Sequence, residues 1–138
     1  MRPRAELVER VIRPALDTGK VVVADRYEAS SFVYQGVLKG LNVDHITRIT
    51  SYATGALHPD LTFLIVVPSY EMKERLANGQ EDRFDSMSLA DQELVQAGYL
   101  NLMRIRRSWH VLDGTLPREE LADQVWEIVS VTMKEKKT

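Results

Sequence analysis

Three short apolar runs constrain this chain more than any other feature: Val21-Val22-Val23-Ala24, Leu61-Thr62-Phe63-Leu64-Ile65-Val66-Val67 and His110-Val111-Leu112. Each is too short for a helix, and turn residues bound them: Gly19 before the first, His58-Pro59-Asp60 and Pro68 around the second, Asp113-Gly114 after the third. Runs of this length without polar alternation read as strands buried on both faces, the kind that parallel sheets contain. The stretches between them have helical period. Residues 4–16 place Leu7, Val8, Val11, Ile12, Ala15 and Leu16 on one stripe, with Pro14 and Gly19 as stop signals. Residues 30–38 read as a short helix capped at Ser30 and closed by Gly40, and Asp44 is the expected cap of another through Thr54. Ser69 opens a helix ending at Gly79, and residues 80–86 form a polar loop. Ser88 with Asp91 resembles a capping box for a long helix carrying Leu94, Val95, Leu102 and Ile105. Pro117 suits the first turn of a last helix with Leu121, Val125, Ile128 and Val129, and residues 134–138 are expected to fray. Strands alternating with helices predict an α/β fold of three parallel strands with flanking helices and right-handed crossovers.

Composition narrows the classes. A chain of 138 residues suits a single domain over residues 1–138, because a second hydrophobic core would starve the first. The 18 Lys and Arg against 20 Asp and Glu give a net charge of −2, which excludes a generally basic nucleic-acid binder. The absence of cysteine excludes disulfide scaffolds, thiolate metal sites and cysteine nucleophiles. No apolar run approaches the ~20 residues that span a bilayer, and the charged start Met1-Arg2-Pro3-Arg4-Ala5-Glu6 is no signal peptide. The expectation is a soluble, cytoplasmic domain without nucleic-acid or membrane partners.

In open parallel sheets, ligands bind beyond the carboxyl ends of the strands. The first run ends in Asp25-Arg26-Tyr27. An acid and a guanidinium there suit a magnesium-linked carboxylate and a phosphate clamp, since arginine grips phosphate bidentately. Taken alone, the pair also reads as a surface ion pair. Asp113 reads as a turn or cap residue. The nearest string to a phosphate-binding Gly-rich loop is Pro14-Ala15-Leu16-Asp17-Thr18-Gly19-Lys20-Val21. It has proline for the first glycine and valine for the magnesium-binding hydroxyl, and it precedes a strand instead of following one, so it is rejected. His45, His58 and His110 lack metal-ligand spacing and read as structural or surface residues, and Met72, Met87, Met103 and Met133 as packing.

Several strings together carry more. Asp25-Arg26-Tyr27, Ser30-Ser31 and Tyr34-Gln35-Gly36 resemble the DR(Y/H/F)-xx-S-(S/T)-xx-YQG signature of thymidylate kinases. Upstream, Arg4-Ala5, Val8-Glu9 and Ile12-Arg13-Pro14-Ala15-Leu16 are similar to that family's R-x-x-x-V-E-x-x-I-x-P-A-L helix. Downstream, Pro59-Asp60-Leu61-Thr62 opens a strand, Asp82-Arg83-Phe84-Asp85 resembles the lid segment, and Tyr99-Leu100 and Leu112-Asp113 follow. The resemblance implies phosphoryl transfer from ATP to thymidine monophosphate (dTMP) with Mg2+. It implies that Arg26 holds the acceptor phosphate and Asp25 lies near the magnesium. Arg4 would donate to a thymine carbonyl, Ser31 and Gln35 would face the base edge, and Tyr34 would line the nucleoside pocket. Arg75 and Arg83 would neutralise charge on the transferred phosphoryl group. A helix-packed homodimer is implied as well.

Members of that family begin with a strand, a Gly-rich phosphate loop and a second strand, and no segment of these 138 residues matches them. The expected architecture is therefore a partial P-loop nucleoside monophosphate kinase fold, N-terminally incomplete and inactive by itself. A second copy or an amino-terminal segment would supply the missing strand. Two alternatives stay open: a non-catalytic nucleotide-binding or dimerising module of the same fold, and a deoxynucleoside kinase. The second usually carries Glu-Arg-Ser where this chain has Asp25-Arg26-Tyr27.

Overall fold

The first apolar stripe folds as one helical run: α1 (Arg2–Leu7), a wider π-type stretch π1 (Val8–Ile12) and α2 (Arg13–Asp17). Pro14 does not end it: Ile12 and Arg13 before it keep right-handed helical backbone and the run continues to Asp17. The buried part of the stripe is narrower than the sequence suggests: Val8 and Ile12 are buried, while Leu7, Val11 and Leu16 are exposed. The computed structural model describes residues 2–78, 88–104 and 108–137. Within it the chain divides into two compact units, Met1–Pro59 and Asp60–Thr138.

In the first unit, α3 (Glu28–Ser31) runs into a second π-type stretch, π2 (Phe32–Leu38). This helix starts two residues ahead of Ser30, which is therefore not its cap. The next helix, α4 (Val43–Thr54), is capped by Asn42 and not by Asp44. The Asn42 side chain accepts from the amides of Asp44 (2.9 Å) and His45 (3.2 Å). A cap must stand outside the helix in extended backbone, and Asn42 does, whereas Asp44 is already helical. Gly55 ends α4 in the left-handed conformation that glycine adopts without steric cost. Helix α4 packs on α1, α3 and π2. Val8, Ile12, Phe32, Val33, Ile46 and Ala53 form the buried apolar core, with Thr50 and Thr54 buried among the polar residues. The Thr54 hydroxyl is satisfied locally, donating to the Thr50 carbonyl at 3.0 Å.

Residues 21–24, expected as a strand buried on both faces, belong to no strand among the described residues. Val23 is 91% exposed and Val21 63%. A β-strand exists by hydrogen bonding to a neighbour, and apolar sequence alone does not supply one.

The second unit holds the sheet. Strands β1 (Thr62–Val66) and β2 (Trp109–Asp113) pair in parallel, with Thr62 opposite Trp109 and Val66 opposite Asp113. The described sheet has two strands where three were expected. Helices α5 (Ser69–Ala77) and α6 (Leu89–Met103) lie between the strands in sequence, and α7 (Arg118–Lys137) follows them. Ser88 caps α6, accepting from the Asp91 amide at 3.1 Å. Gly79, the loop 80–86 and Ile105 lie outside the described residues. Helix α7 reaches Lys137 and is not frayed from 134 onward. Lys134, Lys136 and Lys137 in its last turn suit the negative end of the helix dipole, and the Lys136 ammonium pairs with the Asp60 carboxylate. Gly114 closes the end of β2 tightly. A Cβ there would lie 2.6 Å from Val67 Cγ2, 2.9 Å from Ile65 Cγ2 and 2.9 Å from the Val66 carbonyl oxygen.

Candidate functional site

Residues 21–24, which form neither helix nor strand, lead the chain to Asp25 and Arg26, both exposed at a bend. Arg26 has a φ of +60°, a left-handed conformation that a non-glycine residue enters at a cost of ~1–3 kcal/mol. Such a residue persists only where its surroundings over-determine it. Its guanidinium carbon lies 6.0 Å from the centroid of the Tyr34 ring, within cation–π range. Tyr34 reaches this position from π2, the stretch that also carries Gln35.

A second contact pair forms beside the first. Arg4 Nη1 donates to Ser31 Oγ at 2.7 Å, and the Arg4 guanidinium lies 5.9 Å from the Tyr27 ring centroid. Ser31 is buried and Arg4 half-buried, so the charge-assisted bond is only partly screened. The fold thus brings together Arg4 with Ser31 and Arg26 with Tyr34, residues 27 and 8 positions apart in the chain. Gln35 is half-buried, and its carbonyl accepts from the Leu41 amide at 3.1 Å.

The residues that follow Arg26 are anchored. The Tyr27 phenol donates to the Leu57 carbonyl at 3.2 Å. Burial pushes the Tyr27 phenol up and the Glu28 carboxylate adds to the rise, against smaller opposing effects of Arg4, a Thr54 hydrogen bond and Arg13. Glu28 is buried, and its two carboxylate oxygens lie 3.1 and 2.9 Å from His58 Nδ1. Sequence reasoning did not single out Glu28, and it left His58 as structural or surface. No local pattern could have paired two residues 30 positions apart.

Arg75 lies in the second unit. Its Nη2 donates to Glu71 Oε1 at 2.8 Å and to the Gly114 carbonyl at 2.9 Å, which ties α5 to the end of β2. Arg83 lies outside the described residues. Asp113 is the expected turn residue: it accepts from Thr115 Oγ1 at 2.6 Å and from the Thr115 amide at 2.9 Å, and these bonds hold its carboxyl below the ordinary range. His110 faces the Phe63 ring across the strand pair, centroids 5.7 Å apart. Among the described residues no group of three or more His, Cys, Asp or Glu side chains is placed to hold a metal. No helix among them is long and apolar enough to cross a membrane.

Parallel strands with flanking helices make this an α/β protein. Comparison with known proteins is more specific. The family model described as thymidylate kinase matches residues 1–125. The thymidylate kinase of Deinococcus radiodurans is 39% identical over 129 residues, covering 92% of this chain and 63% of the relative. That of Symbiobacterium thermophilum is 41% identical over 127 residues (91% and 59%), and that of Thermomicrobium roseum 41% over 134 residues (95% and 64%). The chain belongs to the thymidylate kinase family. It spans about three-fifths of the length of these curated relatives.

Proposed function

We propose that this chain contributes the acceptor-nucleotide side of a phosphotransferase that moves the terminal phosphoryl group of ATP to dTMP, giving dTDP. Family membership and the names of the relatives support the reaction. The observation that carries the assignment is Arg26: an exposed arginine with its guanidinium over an aromatic ring, at the bend that follows residues 21–24, held in a costly backbone conformation. Arg26 binds the acceptor phosphate, because a planar guanidinium matches phosphate oxygens bidentately. Tyr34 lines the nucleoside pocket, and Arg4, Ser31 and Gln35 read the base edge. Arg75 and Arg83 are assigned to the charge of the transferred group, Arg75 by leaving its bonds to Glu71 and Gly114.

Asp25 fits magnesium as a single exposed carboxylate, since Mg2+ is commonly held by one or two carboxylates, waters and substrate phosphates. Bound there, the ion would neutralise phosphate charge. No segment of the 138 residues matches the loop that cradles donor phosphates, so the reading concerns the acceptor half. In this reading residues 21–24 are a third parallel strand beside 61–67 and 110–112, and a second copy or an amino-terminal segment supplies the missing strand that would cover the exposed Val21 and Val23. The same reading places the protein in the cytoplasm. It also makes it a homodimer through helices whose exposed apolar residues include Leu7, Val11 and Tyr52.

Calorimetry with dTMP and with thymidine tests the central assignment. A hydrogen bond to a charged group contributes ~1.5–3 kcal/mol, so Arg26→Ala should weaken dTMP about 10- to 100-fold and leave thymidine nearly unchanged. Equal losses for both ligands would make Arg26 structural.

A further inference from the structure

Arg26 cannot be held in its left-handed conformation by its own chemistry, because an arginine gains nothing locally from a positive φ. The structure shows what lies immediately after it. Tyr27 is tied by its phenol to the Leu57 carbonyl, and Glu28 by its carboxylate to His58 Nδ1. Two successive residues are therefore fastened to two successive residues, Leu57 and His58, that follow the end of α4.

The Glu28 rung is the informative one. Glu28 stands in the first turn of α3, where an exposed carboxylate would already favour the helix dipole. It is instead buried, and a buried carboxylate is unfavourable unless something pairs with it. His58 does so, and because a carboxylate only accepts, Nδ1 carries the hydrogen whether the ring is neutral or charged. The ring itself remains half-exposed, 48% of its side chain open to solvent. The charge-assisted bond thus spans from the surface into the unit and ends one residue beyond Tyr27.

We propose that Glu28 and His58 are positioning residues for Arg26: their bond, with the Tyr27–Leu57 bond, fixes the bend that presents the guanidinium to an acceptor phosphate. This inference rests on the reading of Arg26 given above. Neither residue touches the nucleotide in this account.

His58 is the residue to change, since its exposure makes a folding failure avoidable. Two measurements on the full chain decide the matter. The first uses no ligand: the backbone coupling constant and amide shift of Arg26 by NMR, in the wild type, His58→Ala and His58→Asn. Asparagine places a donor where Nδ1 lies. The second is the affinity for dTMP and for thymidine in the same proteins. His58→Ala should shift the Arg26 backbone signals and weaken dTMP by about 3- to 10-fold, with thymidine within about twofold, and His58→Asn should restore both. Unmoved Arg26 signals, equal losses for the two ligands, or no rescue by asparagine would each overturn the positioning role. An Arg26→Ala protein that keeps its preference for dTMP over thymidine would remove the phosphate reading, and this role with it. That failure is recognisable, because the Arg26 signals of His58→Ala would still move.

Discussion

In the first unit Arg26 stands exposed at a bend with its guanidinium over the Tyr34 ring, whereas in the second Arg75 is bonded to the Glu71 carboxylate and the Gly114 carbonyl. The family resemblance gives both arginines a role toward phosphate, Arg26 within the Asp25-Arg26-Tyr27 string and Arg75 near the lid segment. Their surroundings differ in kind. Arg26 follows residues 21–24, which pair with no strand among the described residues, and its backbone is strained. Arg75 lies on a regular helix beside a paired strand and joins the two. A guanidinium that bridges a carboxylate and a main-chain carbonyl contributes to the fold, and it must release those bonds before it can reach a phosphate. In the proposed reading Arg26 binds the acceptor, and Arg75 holds α5 to the end of β2 until it leaves those bonds for the transferred group.

The sharpest test of the cohesive side is Gly114→Ala. The added methyl meets two side-chain carbons and a main-chain oxygen at under 3 Å, so the end of the strand pair must shift. The expected loss is about 2 kcal/mol in urea unfolding, within the range for overpacking. A loss below about 0.5 kcal/mol would show that the junction between Arg75 and β2 is loose.

Arg75→Ala comes next, at about 1 kcal/mol, because the side chain is 43% exposed and its bonds are partly screened. Stability should fall while the affinity for dTMP stays within about twofold. A weaker reaction is what the assignment of Arg75 to the transferred group predicts, whereas unchanged stability would break the comparison.

The smallest effect belongs to Tyr27→Phe, which removes the bond to Leu57 at a cost below about 1 kcal/mol near neutral pH. Its pH dependence is more telling. The folded-state pKa lies above the ordinary 10.0, so the folded chain keeps this proton where the unfolded chain releases it. The contribution is complete below about pH 10 and is lost as the pH rises through the folded value. Unfolding at about pH 8 and about pH 10.5 should show a steeper decline for the wild type than for Tyr27→Phe. Parallel declines would mean that the phenol is not buried as described.

Much of the fold was legible in the sequence. The helices around Val8 and Ile12, from 43 to 54 and from 89 to 103, follow from apolar period and from nearby caps, all of them short-range. The runs at 61–67 and 110–112 became β1 and β2. The candidate site entered through the family resemblance of its strings and not through residue types alone; in the fold Arg4 bonds Ser31 and the Arg26 guanidinium lies near the Tyr34 ring. The misplaced cap shows how narrow the local margin is: Asn42 and Asp44 are both good caps, and which one stands outside the helix depends on where the helix begins.

The apolar period and the turn residues of this sequence determined by themselves where helices form, since those signals act between neighbours three or four positions apart. Only the tertiary structure decided that residues 21–24 lack a strand partner among those described, that Arg75 bridges to Gly114 and that Glu28 meets His58. Strand pairing and long-range side-chain hydrogen bonds depend on a partner that folding brings from elsewhere in the chain, 39 positions away for Arg75 and 30 for Glu28, so the residues alone leave the pairing undetermined.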